Sequence, residues 1–184
     1  MKKMILSLTI LMLVAFLGMG NLTARENTLA AGVQVGFAAT GVVIDIQKGS
    51  LGMSAGLNYP IGYTYIASLS EADPEDQIAN VATITADITT AFDLSDSFSL
   101  KLGISTIALT NFGPVFGGIA GPCLKGEYWI PNKNTGLFVN LNVPIMLYGV
   151  AVNEFSDMDT MVAFNPWLPL LGLFTTTFGV LYAF

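Results

Sequence analysis

Four charged side chains stand inside segments whose alternation of apolar and small residues predicts β-strands. Asp87, Lys101, Lys125 and Glu127 each fall on the small, polar side of their segment. Because successive residues of a strand point to opposite faces, we expect these polar sides to form one face of a sheet. Two acids and two bases on one enclosed face predict a paired network, since a buried charge is tolerated only with partners. We expect this network to be structural, with a proton or ion path as the alternative.

The residue types that most enzymes need are scarce in this chain. It contains no His, which excludes serine triads, His-based zinc sites and the usual general base near neutral pH. Paired carboxylates occur only in turn-rich segments, and the acidic segment 70–76 lacks the glycine and the spacing of an EF-hand. We therefore predict that the chain is not an enzyme and that it has no metal site and no cofactor.

The N-terminus has the pattern of a secretory signal peptide. Lys2 and Lys3 precede an apolar run over residues 4–19, and the small residue Ala24 ends the short stretch that follows. The sequence thus predicts a signal peptide over residues 1–24 and one domain over residues 25–184. A retained membrane anchor is the alternative for the first segment.

The composition favours apolar surroundings for the domain. Mean hydropathy is +0.64, and charged residues make up 11% of the chain, about half of the share in a typical globular protein. Without Lys2 and Lys3, five basic residues remain against thirteen acidic ones, which argues against a nucleic-acid partner. A domain of this length has a limited core, so we expect lipid to surround it.

Eight segments are predicted as strands, and turn-rich stretches separate them. Most of them alternate with period two, but the alternation is weaker in segment 117–130 and poor in segment 158–164. The segments cover residues 31–47, 51–69, 78–92, 97–105, 117–130, 137–148, 158–164 and 174–184. In the first segment the alternation reverses at Thr40 and Gly41, which indicates a β-bulge or a tight turn. With eight strands in this order, the longest break, residues 70–77, would lie beside the termini. That placement is unusual, because membrane barrels carry their longer loops at the opposite end.

The last segment resembles part of a known class of proteins. Phe178, Val180, Tyr182 and Phe184 share one side of it, and the chain ends on Phe184. This pattern resembles the C-terminal strand signal of bacterial outer-membrane β-barrels. The resemblance implies a lipid bilayer as surroundings and the outer-membrane barrel assembly machinery as a partner of the C-terminal strand. It also implies location in the outer membrane of a diderm bacterium.

The strand count and the polar inner side resemble small structural barrels of the transmembrane-OmpA and OmpX class. The chain departs from the lipid A palmitoyltransferases, which are enzymes built on outer-membrane barrels, because it lacks their essential His. Tyr128, Trp129 and Trp167 stand near segment ends, where interfacial aromatic girdles are expected.

We therefore predict an all-β fold, a closed antiparallel transmembrane β-barrel of eight strands, with a plugged polar lumen and a non-enzymatic structural or surface role. A narrow pore for small solutes or apolar molecules is the alternative, because Gly52, Ser54 and Gly56 on the inner side would leave space. An adhesin is a third functional alternative, against which the short outer loops weigh. Two other folds stay open, a small polytopic helical membrane protein and a soluble exported β-sandwich.

Overall fold

The computed structural model describes residues 28–62, 65, 81–112, 115–152 and 158–184. Within these ranges the chain forms ten β-strands and a short 3-10 helix, Leu168–Leu173. The strands are β1 Thr28–Gly36, β2 Thr40–Lys48, β3 Leu51–Tyr59, β4 Ala82–Ser95, β5 Phe98–Thr110, β6 Val115–Trp129, β7 Thr135–Asn142, β8 Met146–Val152, β9 Met158–Phe164 and β10 Thr177–Ala183. No helix in the described ranges is long and apolar enough to cross a membrane. The predicted signal peptide and the acidic segment 70–76 lie outside the described residues.

The strands close into an antiparallel barrel. Strands β1 to β7 pair in chain order, β7 also pairs with β10, and β10 pairs with β1, which completes a ring of eight strands. At the closure, Ala30 of β1 lies opposite Ala183 of β10. The predicted closed eight-stranded barrel is confirmed. The described residues form neither a helical bundle nor a two-sheet sandwich.

Strands β8 and β9 extend the sheet beyond the ring: β8 pairs with the first residues of β6, and β9 pairs with β8. After β7, residues 143–145 interrupt the regular ladder, and β8 then continues along β6. The backbone N–H groups of Val143 and Ile145 still donate to Pro122 and Ala120, while Pro144 between them has no N–H to offer. Strands β7 and β8 are therefore two parts of one bent strand. Strand β9 pairs with β8, and residues 165–176 connect it to β10.

Most predicted strands have other bounds in the structure, and two of these differences have a clear local cause. Segment 31–47 is a hairpin of β1 and β2, and the Thr40 hydroxyl closes its turn by donating to the Gly36 carbonyl at 2.9 Å. Segment 51–69 ends as a strand at Tyr59, just before Pro60, whose ring nitrogen cannot donate to a ladder. The number of ring strands stays at eight because β9, predicted as one of them, lies outside the ring.

The extra hairpin changes the end at which each connection lies. The end that holds Ala30 and Ala183, here called the terminal end, carries turns 49–50, 96–97 and 130–134. The opposite end, called the far end, carries the turn 37–39 and the connection 60–81. The placement of the longest connection beside the termini, which followed from counting residues 31–47 as a single strand, was therefore wrong, and the alternative of a tight turn near Thr40 and Gly41 is confirmed.

The ring strands have an apolar outer face and a mainly polar inner face, as their alternation predicts. In β2, Val42, Ile44 and Ile46 are exposed, and Val43, Asp45 and Gln47 are buried between them. Large exposed apolar side chains on the ring strands include Leu29, Val33, Val35, Val42, Ile44, Ile46, Leu51, Met53, Leu57, Ile84, Ile88, Leu102, Ile104, Leu137, Val139, Leu141, Phe178 and Val180.

Exposed aromatic side chains lie near both ends of the barrel. At the terminal end they include Phe98, Tyr128, Tyr182 and Phe184, and at the far end Tyr59, Phe164, Trp167 and Phe174. Trp129 does not belong to this set, so its predicted place in an outer aromatic girdle was wrong. The alternation along β6 turns Tyr128 outward and buries Trp129 inside the barrel.

Candidate functional site: the lumenal polar network

The inner faces of β2, β5 and β6 bring four charges together inside the barrel. Lys101 Nζ lies 3.1 Å from Asp45 Oδ1 and 2.7 Å from Glu127 Oε1. Lys125 Nζ lies 2.9 Å from Glu127 Oε1 and also contacts Asp45 Oδ2. Each lysine thus contacts both carboxylates, in an arrangement that we call the four-charge cycle. Every side chain in the cycle is at most 6% exposed.

The strand register explains why the two carboxylates are needed. Lys101 of β5 lies directly opposite Lys125 of β6, and like charges in direct opposition destabilise a sheet. Asp45 reaches the pair from β2, and Glu127 stands two positions from Lys125 on β6. The cycle as a whole is neutral, which is the condition under which charged groups are tolerated away from water.

Aromatic and apolar side chains enclose the cycle. Lys125 Nζ lies 4.8 Å from the centroid of the Phe138 ring, and Trp129 Nε1 donates to Glu127 Oε2 at 3.3 Å. Phe138 and Trp129 belong to a buried apolar cluster with Val43 and Leu181. These side chains reduce the exposure of the charges to water, and a lower local dielectric strengthens the ion pairs.

Asp87 belongs to a separate polar group. Its Oδ2 accepts hydrogen bonds from Ser54 Oγ at 2.7 Å and from Asn140 Nδ2 at 3.0 Å. We call Ser54, Asp87 and Asn140 the Asp87 group. Among the described residues, the lysines of the lumen form their ion pairs with Asp45 and Glu127. The predicted network is therefore only partly one cluster, since Lys101, Lys125 and Glu127 meet while Asp87 lies apart.

A third polar group lies nearer the far end. Gln34 Nε2 donates to Asn58 Oδ1 at 2.8 Å and to Thr85 Oγ1 at 3.2 Å. Asn58 Nδ2 donates to Thr85 Oγ1 at 3.2 Å. Strands β1, β3 and β4 are thereby linked across the lumen by neutral side chains.

Asp45 is the member of the cycle that the sequence analysis did not single out. It stands between the exposed Ile44 and Ile46, on the same side as Val43 and Gln47. The alternation of β2 alone indicates an inward carboxylate. Treating residues 31–47 as one strand with a reversal left the inner side of this segment undefined.

Small residues on the inner face make room for the polar groups. A Cβ atom at Gly52 would lie 2.6 Å from Thr89 Oγ1, and one at Gly56 would lie 2.6 Å from Thr85 Oγ1. Neighbouring side chains therefore already occupy the space above both glycines. The expectation that Gly52, Ser54 and Gly56 leave a cavity for a pore is not supported by this packing.

Two recesses lie on either side of the four-charge cycle. The one at the terminal end has a volume of about 270 Å3, counting space open to solvent, and Lys101, Asp93 and Trp129 are among its lining residues. The one toward the far end has about 160 Å3, also counting space open to solvent, and is lined in part by Ser105 and Asn142. Along β5, Lys101 borders the first recess and Ser105 the second, so the cycle separates them.

The side chains of this site form a packed ionic and hydrogen-bonded network. In the part of the chain that the structure describes, no group of three or more His, Cys, Asp or Glu side chains could hold a metal ion. Comparisons with protein-family models, with curated proteins and with solved structures found no match for the chain. The function must therefore be argued from the geometry of the barrel itself.

Proposed function

We propose that the chain is an integral outer-membrane β-barrel protein with a sealed lumen and a non-enzymatic, structural or surface role. One observation carries the proposal: the closed ring exposes its large apolar side chains on the outside and buries its charges inside. In water this arrangement would expose apolar surface on most strands. In a bilayer it sets the outer face against acyl chains, and closure leaves no ring strand with an unpaired edge in lipid.

Two further features support a membrane location. The longest connection, residues 60–81, lies at the far end, and the turns at the terminal end are short, as in outer-membrane barrels with the termini in the periplasm. Exposed aromatic side chains lie near both ends, where the two lipid–water interfaces would be. The partners are then the bilayer and, by resemblance of the Phe184 strand, the barrel assembly machinery of a diderm bacterium.

The four-charge cycle supports a sealed lumen rather than a pore. Its side chains are buried and contact one another from β2, β5 and β6, and Gln34, Asn58 and Thr85 link strands across the lumen nearer the far end. A water-filled channel would require these contacts to separate. We therefore assign the barrel a role that depends on its wall or its surface and not on conduction.

Membrane insertion is tested by comparing boiled and unboiled protein from the envelope fraction on a gel. A closed barrel resists detergent until heated, so the unboiled protein should migrate differently from the boiled protein. It should also stay with the membrane pellet during alkaline carbonate extraction. Release by carbonate together with identical mobility of the two samples would contradict a membrane barrel.

Sealing is tested by conductance of the purified protein in a planar bilayer. We expect no stable single-channel step from the wild-type chain. As a control, a variant that combines Asp45→Ser, Lys101→Ser, Lys125→Ser and Glu127→Ser lacks the four-charge cycle and should show raised conductance. A stable step from the wild-type protein would overturn the sealed lumen while leaving the membrane location intact.

A further inference from the structure

The region around Asp87 contains an unbalanced charge and buried oxygen atoms without partners. Asp87 Oδ1, Asn140 Oδ1 and Asn142 Oδ1 are buried and have no hydrogen-bond partner. The three residues lie on the inner faces of β4 and β7 and are only 5–8% exposed. The four-charge cycle is neutral by itself, so the charge of Asp87 is not balanced by the lumenal lysines.

The hydrogen bonds of the Asn140 and Asn142 side chains determine which of their atoms have no partner. Asn140 Nδ2 donates to Asp87 Oδ2 at 3.0 Å, and Asn142 Nδ2 donates to the Thr175 carbonyl at 2.8 Å. Reversing either amide would place an oxygen against another oxygen. The unpartnered atoms are therefore oxygens in both residues, and all three require a donor or a cation.

A proton on Asp87 does not meet this requirement. It would neutralise the carboxylate but would supply one donor, which leaves at least one of the oxygens of Asn140 and Asn142 without a partner. A cation contacts several oxygens at once, and hard cations prefer carboxylate and amide oxygens. A single positive charge would balance Asp87, whereas a divalent ion would leave a buried excess charge, which is costly.

We propose that Asp87, Asn140 and Asn142 bind a monovalent alkali cation inside the lumen. The recess on the far-end side borders this site at Asn142, which lines it together with Ser105, and Ser105 lies opposite Asp87 in the β4–β5 register. The ion links β4 to β7 across the lumen. It stabilises the barrel as a ligand that binds the folded chain.

The test uses the purified full-length protein in detergent, in sodium, potassium, lithium or choline chloride at equal concentration. The readout is the temperature at which the folded band on a gel converts to the unfolded one. Choline is too large for a site among these three side chains. The conversion temperature should be higher in at least one alkali chloride than in choline chloride, by about 4 °C or more for an ion well above its Kd.

Two variants of the same strand make the result specific. Asp87→Asn removes the charge with little change of shape and should abolish the difference between salts. Asp93→Asn makes the same substitution on β4 at the terminal-end recess and should leave the difference between salts unchanged. Equal conversion temperatures of the wild-type protein in all four chlorides would overturn the proposal. So would a dependence on pH without a dependence on the cation, because a proton would then neutralise Asp87.

A measurement on the wild-type protein covers the case in which Asp87→Asn does not fold. The sodium-23 resonance should broaden in the presence of the protein, and excess potassium or lithium should reverse the broadening. Broadening that persists unchanged in Asp93→Asn excludes the terminal-end recess as its source and supports the site formed by Asp87, Asn140 and Asn142. A sodium line that is the same with and without the folded protein would count against it.

Discussion

Lys101 and Lys125 lie directly opposite each other across the β5–β6 ladder, and both of their ammonium groups contact the same two carboxylates. Asp45 comes from β2, which is separated from β5 in the ring by β3 and β4. The cycle is therefore a brace between parts of the wall that share no backbone hydrogen bond. Removing a single member of the cycle should therefore destabilise the closed barrel, because a buried charge is then left without a partner.

Replacing one lysine tests this dependence. Lys101→Met leaves one carboxylate charge uncompensated inside the barrel, and we expect the free energy of unfolding to fall by about 3–5 kcal/mol. Urea unfolding in detergent, followed by circular dichroism, measures the change. The control is Lys133→Met in the exposed turn at the terminal end, which should change the stability by less than about 0.5 kcal/mol. Similar losses of unfolding free energy in Lys101→Met and Lys133→Met would show that the ion pairs of the cycle do not stabilise the barrel.

The packing of the lumen is tested at two neighbouring residues of β3. Gly56→Val places side-chain atoms where Thr85 Oγ1 already lies, and such overpacking costs about 1–3 kcal/mol or prevents folding. Ala55→Val points outward and should be nearly neutral. The fraction of each protein that migrates as the folded form on an unboiled gel gives the comparison. A well-folded Gly56→Val variant would indicate more room in the lumen than the structure shows.

The two tryptophans report on opposite faces of the wall. Trp167 is 72% exposed at the far end, and Trp129 is 8% exposed inside the barrel. In vesicles of brominated lipid, Trp129→Phe leaves the emission of Trp167, which should be strongly quenched. Trp167→Phe leaves the emission of Trp129, which should be quenched much less. As a control, Phe178→Trp in a chain without Trp129 and Trp167 places a tryptophan on the outer face of the wall. Strong quenching in this control but not in Trp129→Phe would place Trp167 outside the lipid.

The final residue separates assembly in the cell from stability of the barrel. The Phe184 ring is exposed and packs against Tyr182 with a centroid distance of 5.7 Å. If the assembly machinery reads this strand, Phe184→Ser should lower the amount of folded protein in the outer membrane several-fold. The purified variant should still refold in detergent nearly as well as the wild type. Phe98→Ser, at another exposed aromatic residue of the terminal end, should leave assembly unchanged, and equal losses in the two variants would remove any special role of Phe184.

Alternation with period two was sufficient to predict which face most strand residues occupy. It placed Lys101, Lys125 and Glu127 inside the barrel and Phe178, Val180 and Tyr182 outside, and the structure agrees. This succeeds because the direction of a strand side chain depends only on its position along the strand. A local rule therefore determines the faces once the segments are correct.

Alternation could not predict features that depend on how the whole ring closes. The contact of Asp45 with Lys101 requires closure of the barrel and the registers of all intervening strands. The hairpin with its turn at residues 37–39 was one of two alternatives, because alternation alone does not distinguish a tight turn from a β-bulge. Counting residues 31–47 as one strand placed the longest connection at the wrong end. Trp129 was assigned to the outer face by residue type, although its position on β6 directs it inward.

The pairing of β1 with β10 also determines the order in which the barrel can fold. Most ring contacts join strands that follow each other along the chain, but this one joins the first and the last described strands. Contacts so distant in sequence form slowly, because they close a long loop. Until this pairing forms, β1 and β10 each have an open edge that can template aggregation with other chains. The state most prone to aggregation is therefore an almost complete sheet in which β1 and β10 are not yet paired.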